Sequence, residues 1–537
     1  MKIAIAQINC VVGDIAGNVT KIIASATQAK MQGATLLITP ELSLCGYPPE
    51  DLLLRADFLE ACDLALNKLS HALSGITVIV GHPHQVGKNC FNAASILQNG
   101  EIFATYHKHA LPNHSVFDEK RYFTEGEKAL IFEHQGVKIG VLICADVWES
   151  APALMAKVAG AELLVVLNAS PFHMDKHCTR LDILHQRVFE TQLPIIYTNM
   201  VGGQDELVFD GASFVLDAKS ILTHQLSAFE PELVVAEFNH TQPIIAKITP
   251  HLTQEASVYN ALKLGLADYV RKNGFPGVVL GLSGGIDSAL TMAIAIDALG
   301  AENVHAVMMP SEFTADISVN DAREMAKMLG VKYSEIAIGN LFENYLNTLA
   351  PLFGELAMDA TEENLQARIR GMLLMALSNK FGSIVITTGN KSEMAVGYCT
   401  LYGDMAGGFA LLKDVPKTLV YQLSNYRNSL SVVIPHRIIT RPPSAELRAN
   451  QLDQDSLPPY DVLDAIIEAY VEDDLSSHDI VTMGYAPAVV NRVITLIDRN
   501  EYKRRQSPVG VRITHKGFGK DRRHAITAKL DFDIHLN

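Results

Sequence analysis

Short β-rich runs and helical patterns alternate along the chain. In the first half, KIAIAQI, TLLIT, ITVIVG, KIGVLIC, LLVVLNAS and PIIYTN read as strands, and NVTKIIASATQAKMQG, with its spaced apolar positions, reads as a helix. Strands paired with helices in this way predict a layered α/β sandwich. At 239–256, NHTQPIIAKITPHLTQEA breaks the pattern with two prolines and several polar residues, so a junction is expected there, between domains 1–246 and 247–537. Alternation then resumes with a helix near 257–272, the strand GVVLGLS, a helix, NVHAVMMP, a helix near 318–329 and VKYSEIAI. A long helix over about 362–381 precedes the strand SIVITTGN. Strands separated by helices predict parallel βαβ units in a doubly wound, Rossmann-like sheet. Two stretches read as loops: 397–416, with four glycines, and 440–460, with RPPS and LPPY.

Composition narrows the class. At 537 residues the chain exceeds one ordinary core, so two or three domains are expected. With 48% hydrophobic and 19% charged residues, it reads as a packed globule. A formal charge of −15 argues against a nucleic-acid partner, although KRR at 503–505 and DRR at 521–523 form local basic patches. Seven cysteines without CxxC spacing fit free thiols in a reducing compartment. MKIAIAQINC reads as a strand, not a secretory leader, and no apolar run reaches membrane-spanning length. A cytoplasmic protein without membrane partners is expected.

The sharpest local signal lies where Val278, Val279 and Leu280 lead into Ser283-Gly284-Gly285-Ile286-Asp287-Ser288, followed by ALTMAIAIDAL. Strand, glycine turn and helix start place backbone N–H groups and two hydroxyls around a concavity suited to anionic oxygens. The Lys-Ser/Thr pair of a Walker A loop is missing. SGGIDS resembles the pyrophosphate-gripping loop of the ATP pyrophosphatases, which release pyrophosphate from ATP and leave AMP on a substrate oxygen. The resemblance implies an ATP site at Gly281, Leu282, Ser283, Gly284, Gly285, Ile286, Asp287 and Ser288.

In the first half, Cys144 ends KIGVLIC, Glu41 follows a strand and a proline in TLLITPELSLCGYPPEDLL, and Lys108 stands beside LP in ATYHKHALPN. A thiol at the C-terminal mouth of a strand is where α/β folds present reactive groups. Together the three segments resemble the nitrilase (carbon–nitrogen hydrolase) superfamily, whose fold is an α-β-β-α sandwich and whose Glu-Lys-Cys triad follows this order. A thiolate can attack an amide carbon once its proton is removed. Glu41 can take that proton and deliver one to leaving ammonia. The Lys108 ammonium can hold the negative tetrahedral intermediate.

LPNHSVFDEKRYFTEG and LNASPFHMDK bring the resemblance closer to the glutaminase domain of glutamine-dependent NAD synthetases. It implies that Ser170 and Lys176 lie near glutamine. His114, a candidate glutamine contact, stands where that family usually has tyrosine, and Ala145 follows the nucleophile where acidic residues are common.

The second half carries segments similar to the same family. ENLQARIRGMLLMALSNK resembles its nucleotide-contacting helix, with Asn364, Arg368 and Arg370; VITTGNKSEMAVGYCTLYGD carries Thr388 and Glu393; GDMAGGFALLKDVPKT carries Asp404, Lys413 and Asp414. By this resemblance Thr388 meets ATP, while Asn364, Glu393 and Lys503 meet deamido-NAD. Lys503, in YKRRQ, also reads as part of a solvated basic cluster. Asp287 and Glu393 are the carboxylates assigned to Mg²⁺; complementing the dipole at a helix N-terminus is a modest competing role for Asp287.

The implied reaction converts deamido-NAD, ATP, glutamine and water to NAD, AMP, pyrophosphate and glutamate, with no permanently bound organic cofactor. A homo-oligomer and a sheltered path for ammonia are further implications. Synthetases that aminate purine nucleotides or aspartate share SGGIDS but come with other glutaminase types. A tRNA-thiolating enzyme would need basic surface and catalytic cysteines in the second half, where only Cys399 lies.

Overall fold

The computed structural model describes residues 1–246, 248–449 and 451–526. Lys247, Asn450 and 527–537, expected in the junction, the second loop and the end of the second domain, lie outside the described residues. The chain divides into two compact units, Met1–Ser257 and Val258 onward.

In chain order the first unit contains β1 (Lys2–Gln7), α1 (Ile15–Met31), β2 (Leu36–Ile38), α2 (Ala56–Ala72), β3 (Thr77–Val86), β4 (Asn89–Gln98) and β5 (Glu101–His107). Next come β6 (Leu130–His134), β7 (Val137–Ile143), α3 (Ser150–Val158), β8 (Leu163–Asn168), α4 (Lys176–Thr191) and β9 (Ile195–Asn199). A hairpin, β10 (Val201–Gln204) and β11 (Leu207–Asp210), precedes β12 (Phe214–Leu216), β13 (Leu222–Gln225), β14 (Glu232–Asn239) and β15 (Gln242–Pro243). One sheet has the order β15-β14-β1-β2-β3-β4-β5 and the other β13-β12-β9-β8-β7-β6.

Each sheet has a parallel centre, β1-β2-β3 or β7-β8-β9, flanked by antiparallel strands. Buried parallel strands must be apolar on both faces. Ile3 and Ile5 of β1 pack with Ile139, Val141 and Val165 of the opposite sheet, while Ala4 and Ala6 pack with Ile22, Ala26, Leu59 and Leu66 of α1 and α2. Ala156 of α3 and Leu184 of α4 join the core from the second sheet's side. The layers are therefore α-β-β-α.

The second half runs α5 (Gln254–Lys272), β16 (Val278–Gly281), α6 (Ile286–Leu299), β17 (Val304–Met308), α7 (Asp316–Leu329), β18 (Lys332–Glu335), α8 (Gly339–Phe353) and α9 (Ala360–Phe381). It continues through β19 (Ile384–Thr387), α10 (Lys391–Val396), β20 (Phe409–Ala410), α11 (Lys417–Leu430) and α12 (His436–Thr440). The helices α13 (Tyr460–Ile467), α14 (Ser477–Thr482), α15 (Pro487–Arg499) and α16 (Glu501–Arg504) follow.

Its sheet is parallel throughout, in the order β18-β17-β16-β19-β20. Val279, Val307 and Val385 face Phe342 of α8 and Ile369 and Leu374 of α9. Chain order reverses at β16, whose neighbours are β17 and β19, so the crevice at its C-terminal end is the topological switch point. A separate helical core gathers Val396 of α10, Leu463 and Ile466 of α13 and Val490 and Val493 of α15. Among the described residues, no helix is long and apolar enough to cross a membrane.

Candidate active sites

In the first unit, Glu41 lies in the turn after β2. That turn presses against β3 so closely that a Cβ on Gly81 would sit 2.4 Å from the Leu42 nitrogen. Glu41 is fully buried. Its Oε1 accepts hydrogen bonds from Lys108 Nζ and Asn92 Nδ2, both at 2.7 Å, and its Oε2 accepts from the Ala169 N–H at 3.0 Å. Lys108, just beyond β5, also donates to both oxygens of buried Glu119 at 2.8 Å. The Tyr47 hydroxyl donates to Glu119 Oε1 at 2.9 Å. Asn92, Glu119 and Tyr47 thus join the two residues expected from the sequence.

Cys144 follows β7 and opens a short 3₁₀ turn with φ +42°, in the left-handed region that ordinary side chains rarely occupy. Asp146 holds this turn. Its Oδ2 accepts from the Ile143 N–H at 2.9 Å and the Tyr106 hydroxyl at 2.8 Å. Its Oδ1 accepts from the N–H groups of His109 and Ala110 at 3.0 and 2.8 Å. One buried carboxylate therefore ties the Cys144 turn to the segment directly after Lys108.

Electrostatics separates the roles. Burial pushes the Cys144 thiol up and the Glu41 charge adds to that, with Lys108 and the Ala169 N–H opposing. The thiol is neutral at rest and needs a base. Burial pulls Lys108 down, but the Glu119 and Glu41 charges outweigh it and hold the ammonium charged. Burial raises the Glu119 carboxyl to about 7, against Lys108 and with help from Glu41. A neutral thiol, an adjacent carboxylate and a fixed buried cation are the parts that amide hydrolysis through a thioester requires.

The other first-unit candidates are placed differently. Ser170 is buried; its N–H donates to Asn199 Oδ1 at 3.0 Å, and its hydroxyl and carbonyl accept from Arg180 at 3.2 and 2.8 Å. Arg180 is itself anchored to Asp210 at 2.8 Å. Lys176 opens α4 with its Nζ 4.0 Å from the ring centre of Trp148, the residue that closes the Cys144 turn. His114 is exposed on the loop between Lys108 and Glu119, with its ring edge-on to Phe117.

In the second unit, SGGIDS forms the β16–α6 turn at the switch point. Gly284 has φ +80°, and a Cβ there would sit 2.4 Å from the Ser318 carbonyl oxygen, so glycine is required. Ser283 N–H and Oγ pair with Ser288 Oγ at 3.2 and 3.1 Å, and the Gly285 N–H donates to Ser283 Oγ at 3.2 Å. Gly281, Leu282, Ser283, Gly285, Ile286, Asp287 and Ser288 line a cavity of about 610 Å³, together with Thr388, Glu393, Arg370 and Asp404. Gly284 belongs to the turn without lining the cavity.

Asp287 and Glu393 share one cation that the sequence reading did not single out. Lys417 Nζ pairs with Asp287 Oδ2 and lies 3.5 Å from Glu393 Oε1. Burial raises the Glu393 carboxyl to about 8, with Lys417 opposing and Asp287 and Asp453 adding to the rise. Asn390 caps α10 by accepting from the Glu393 N–H at 3.0 Å and donates to Asp287 Oδ1 at 2.9 Å. Among the described residues, no three His, Cys, Asp or Glu side chains converge as a metal set.

Asn364 and Lys503 brace the 397–400 turn. Asn364 Oδ1 accepts from the Thr400 hydroxyl at 2.8 Å, and Lys503 Nζ donates to the Gly397 and Cys399 carbonyls at 2.8 and 2.9 Å. Arg370 donates to the Met309 carbonyl at 2.9 Å, Arg368 to that of Leu401 at 3.2 Å, and Lys413 to that of Pro508 at 2.7 Å. Asp414 holds the C-terminal segment, accepting from the Ile513 and Thr514 N–H groups at 2.8 Å and pairing with buried Lys391 at 3.0 Å.

Some of the unassigned residues left a local trace. Asn390-Lys-Ser-Glu393 carries the spacing of a capping box, which marks α10 without tertiary knowledge. Glu119 and Lys417 stand inside LPNHSVFDE and DVPKT, but no spacing rule shows that either side chain turns inward.

Both halves match known protein families. Residues 2–242 match the carbon–nitrogen hydrolase family and residues 258–507 the NAD synthase family. The glutamine-dependent NAD(+) synthetase of Acinetobacter baylyi is 49% identical over 530 residues, covering 98% of each chain. That of Thermotoga maritima is 43% identical and covers 99% of each. Among solved structures, the glutamine-dependent NAD+ synthetase of Acinetobacter baumannii in complex with ADP is 48% identical, with a TM-score of 0.81 over 98% of both chains. The Cytophaga hutchinsonii synthetase, 22% identical, shares the fold with a TM-score of 0.86 over 98% of both chains. With both catalytic halves and nearly its whole length matched, the chain belongs to the glutamine-dependent NAD(+) synthetase family.

Proposed function

We propose that this chain makes NAD from deamido-NAD, using ATP to activate the nicotinate carboxylate and glutamine as the nitrogen donor. One observation carries the reading: a single chain holds a buried Cys144–Glu41–Lys108 cluster and, separately, an SGGIDS turn opening into a large cavity at a sheet switch point. The functional division is placed at 1–246 and 247–537, supported by family matches that leave 243–257 between them.

In the first half, Glu41 takes the Cys144 proton as sulfur attacks the glutamine amide carbon. The oxyanion draws on the Lys108 ammonium, which Glu119 holds in place. Protonated Glu41 gives its proton to leaving ammonia, then activates water to release glutamate from the thioester. Ser170 and Lys176, fixed by Arg180 and Trp148, bound the side of the site where glutamine would sit.

In the second half, the nicotinate carboxylate attacks the α-phosphorus of ATP, pyrophosphate leaves, and ammonia displaces AMP from the acyl carbon. SGGIDS offers its hydroxyls and N–H groups to the leaving pyrophosphate, and Thr388 faces the same cavity. Asp287 and Glu393 would be the residues to hold Mg²⁺, since one or two carboxylates plus substrate phosphates suit that ion; here both carboxylates face the Lys417 ammonium. When bound it would offset charge between ATP and the substrate dinucleotide. Asn364 and Lys503 would serve deamido-NAD through the turn they brace.

A cytoplasmic homo-oligomer is the setting we infer; the seven free cysteines, four of them fully or nearly fully buried in the first unit's core, suit a reducing compartment. The test is incubation of the purified protein with deamido-NAD, Mg·ATP and glutamine, with products identified by mass. NAD, AMP, pyrophosphate and glutamate in equal amounts are expected; amidation of a different acceptor, or none, would overturn the reading.

A further inference from the structure

We infer that Arg441 is a catalytic residue of the adenylation site, a second grip on the pyrophosphate that leaves ATP. This deepens the proposed function and rests on its assignment of the SGGIDS cavity to ATP.

Arg441 follows α12 and is held extended, at φ −73° and ψ 138°, before Pro442 and Pro443. Proline at the next two positions disfavours helix at Arg441 and fixes the chain's exit, so the side chain leaves from a stiff point. The guanidinium reaches the pyrophosphate turn, where Nη2 donates to the Gly284 carbonyl at 2.9 Å. That bond occupies the one carbonyl in the turn whose residue is forced to positive φ. Arg441 lines the cavity with Ser283, Gly285 and Ser288.

The other amino group carries the argument. Arg441 Nη1 is buried and has no hydrogen-bond partner among the described residues. A buried unsatisfied donor on a cation is costly, and where it lines a cavity a ligand that enters the cavity can complete it. The cavity already presents hydroxyls and N–H groups suited to phosphate oxygens, and a guanidinium is the side chain best shaped to add a charged donor to them.

The segment beyond Arg441 is anchored too, which keeps the residue in place. Glu446 accepts from the Ser318 hydroxyl at 2.6 Å, and the Leu447 carbonyl accepts from Gln366 Nε2 at 2.9 Å. Ser318 is the residue whose carbonyl packs on Gly284. Arg441 and Ser318 therefore contact the pyrophosphate turn from two different elements.

When the bond between the α-phosphorus and its bridging oxygen breaks, the electron pair goes to that oxygen and negative charge grows on the departing pyrophosphate. Arg441 Nη1 donates to a β- or γ-phosphate oxygen, and that bond strengthens as the charge accumulates. The nicotinate oxygen replaces the bridging oxygen on phosphorus, and no proton moves through Arg441.

The test uses the full chain with Arg441→Met and Arg441→Ala, assayed for ammonia-driven NAD formation and for binding of AMP, ATP and pyrophosphate by calorimetry in Mg²⁺. Arg441→Met should lower kcat by roughly 10²–10³, the cost of one lost charge-stabilising donor. It should weaken pyrophosphate and ATP binding while leaving AMP binding intact, because AMP lacks the phosphates concerned. Free guanidinium at millimolar concentration should restore part of the Arg441→Ala activity. Parent-like kcat and pyrophosphate affinity in Arg441→Met would overturn the inference. So would equal weakening of AMP and ATP without guanidinium rescue, the pattern of a turn that has merely collapsed. If the parent itself neither binds ATP nor forms NAD, the proposed function fails first.

Discussion

Glu119 grips the Lys108 ammonium with both carboxylate oxygens at 2.8 Å, whereas Glu41 offers it a single oxygen at 2.7 Å. The asymmetry divides the labour. On the proposed mechanism Glu119 keeps the cation in place during the cycle, and Glu41 Oε2, which among the described residues accepts from the Ala169 N–H alone, handles the protons.

Replacing Glu119 by Gln should therefore lower glutamine hydrolysis by about 10²-fold, comparable to loss of one oxyanion donor. Ammonia-driven NAD formation should be unchanged. Glutamate release at saturating glutamine is the measurement, and parent-like release would remove Glu119 from the mechanism.

The same carboxyl predicts a pH effect. Its value rises from the ordinary 4.5 to about 7, so folding makes this carboxyl harder to ionise even beside Lys108. The stability this contributes is complete below 4.5 and is lost as pH climbs through about 7. Glu119→Gln stays neutral throughout and should gain in Tm relative to the parent over that interval. A Tm difference that is flat with pH would contradict the assignment.

Cys144→Ala should abolish glutamine-dependent NAD formation and spare formation from ammonia, because only the first half needs a thiol. Glu41→Gln and Lys108→Ala should match it within the background of the assay. Loss of both nitrogen sources in a folded variant would show that the halves are not chemically separate.

Asp287 sits between Asn390 and Lys417, where Mg²⁺ and pyrophosphate are proposed to meet. Without a nitrogen donor, the parent should give a burst of pyrophosphate equal to the enzyme present when deamido-NAD is added. Asp287→Asn should give none. An undiminished burst would mean that SGGIDS grips something other than the leaving group.

Much of this was legible in the sequence for identifiable reasons. KIAIAQ and VVLG announce strands because both faces are buried, and SGGIDS announces its turn because Gly284 alone fits against Ser318. Which way each residue of β1 points could not be read, since Ala4 and Ile5 are equally apolar although one meets helices and the other a sheet. Glu119, Lys417 and Arg441 stayed hidden for a related reason. Each is a charged residue whose placement depends on partners up to 157 positions away. Asn364 and Lys503 show the reverse: residues singled out in motif segments that bond first to a neighbouring turn.

The clasp around Lys391 bears on how this enzyme can be cut apart. The NAD synthase match ends at residue 507, a tempting place to trim a free-standing ammonia-using half. Beyond it, Thr514 Oγ1 takes a hydrogen bond from the Lys391 ammonium at 2.6 Å, the Lys516 carbonyl lies at 3.4 Å, and the Phe518 ring covers it at 6.0 Å. Trimming at 507 would uncover that ammonium and strip Asp414 of two N–H donors beside the helix that carries Glu393. A fragment of this half that keeps the Lys391 clasp must run past Phe518, downstream of the family boundary.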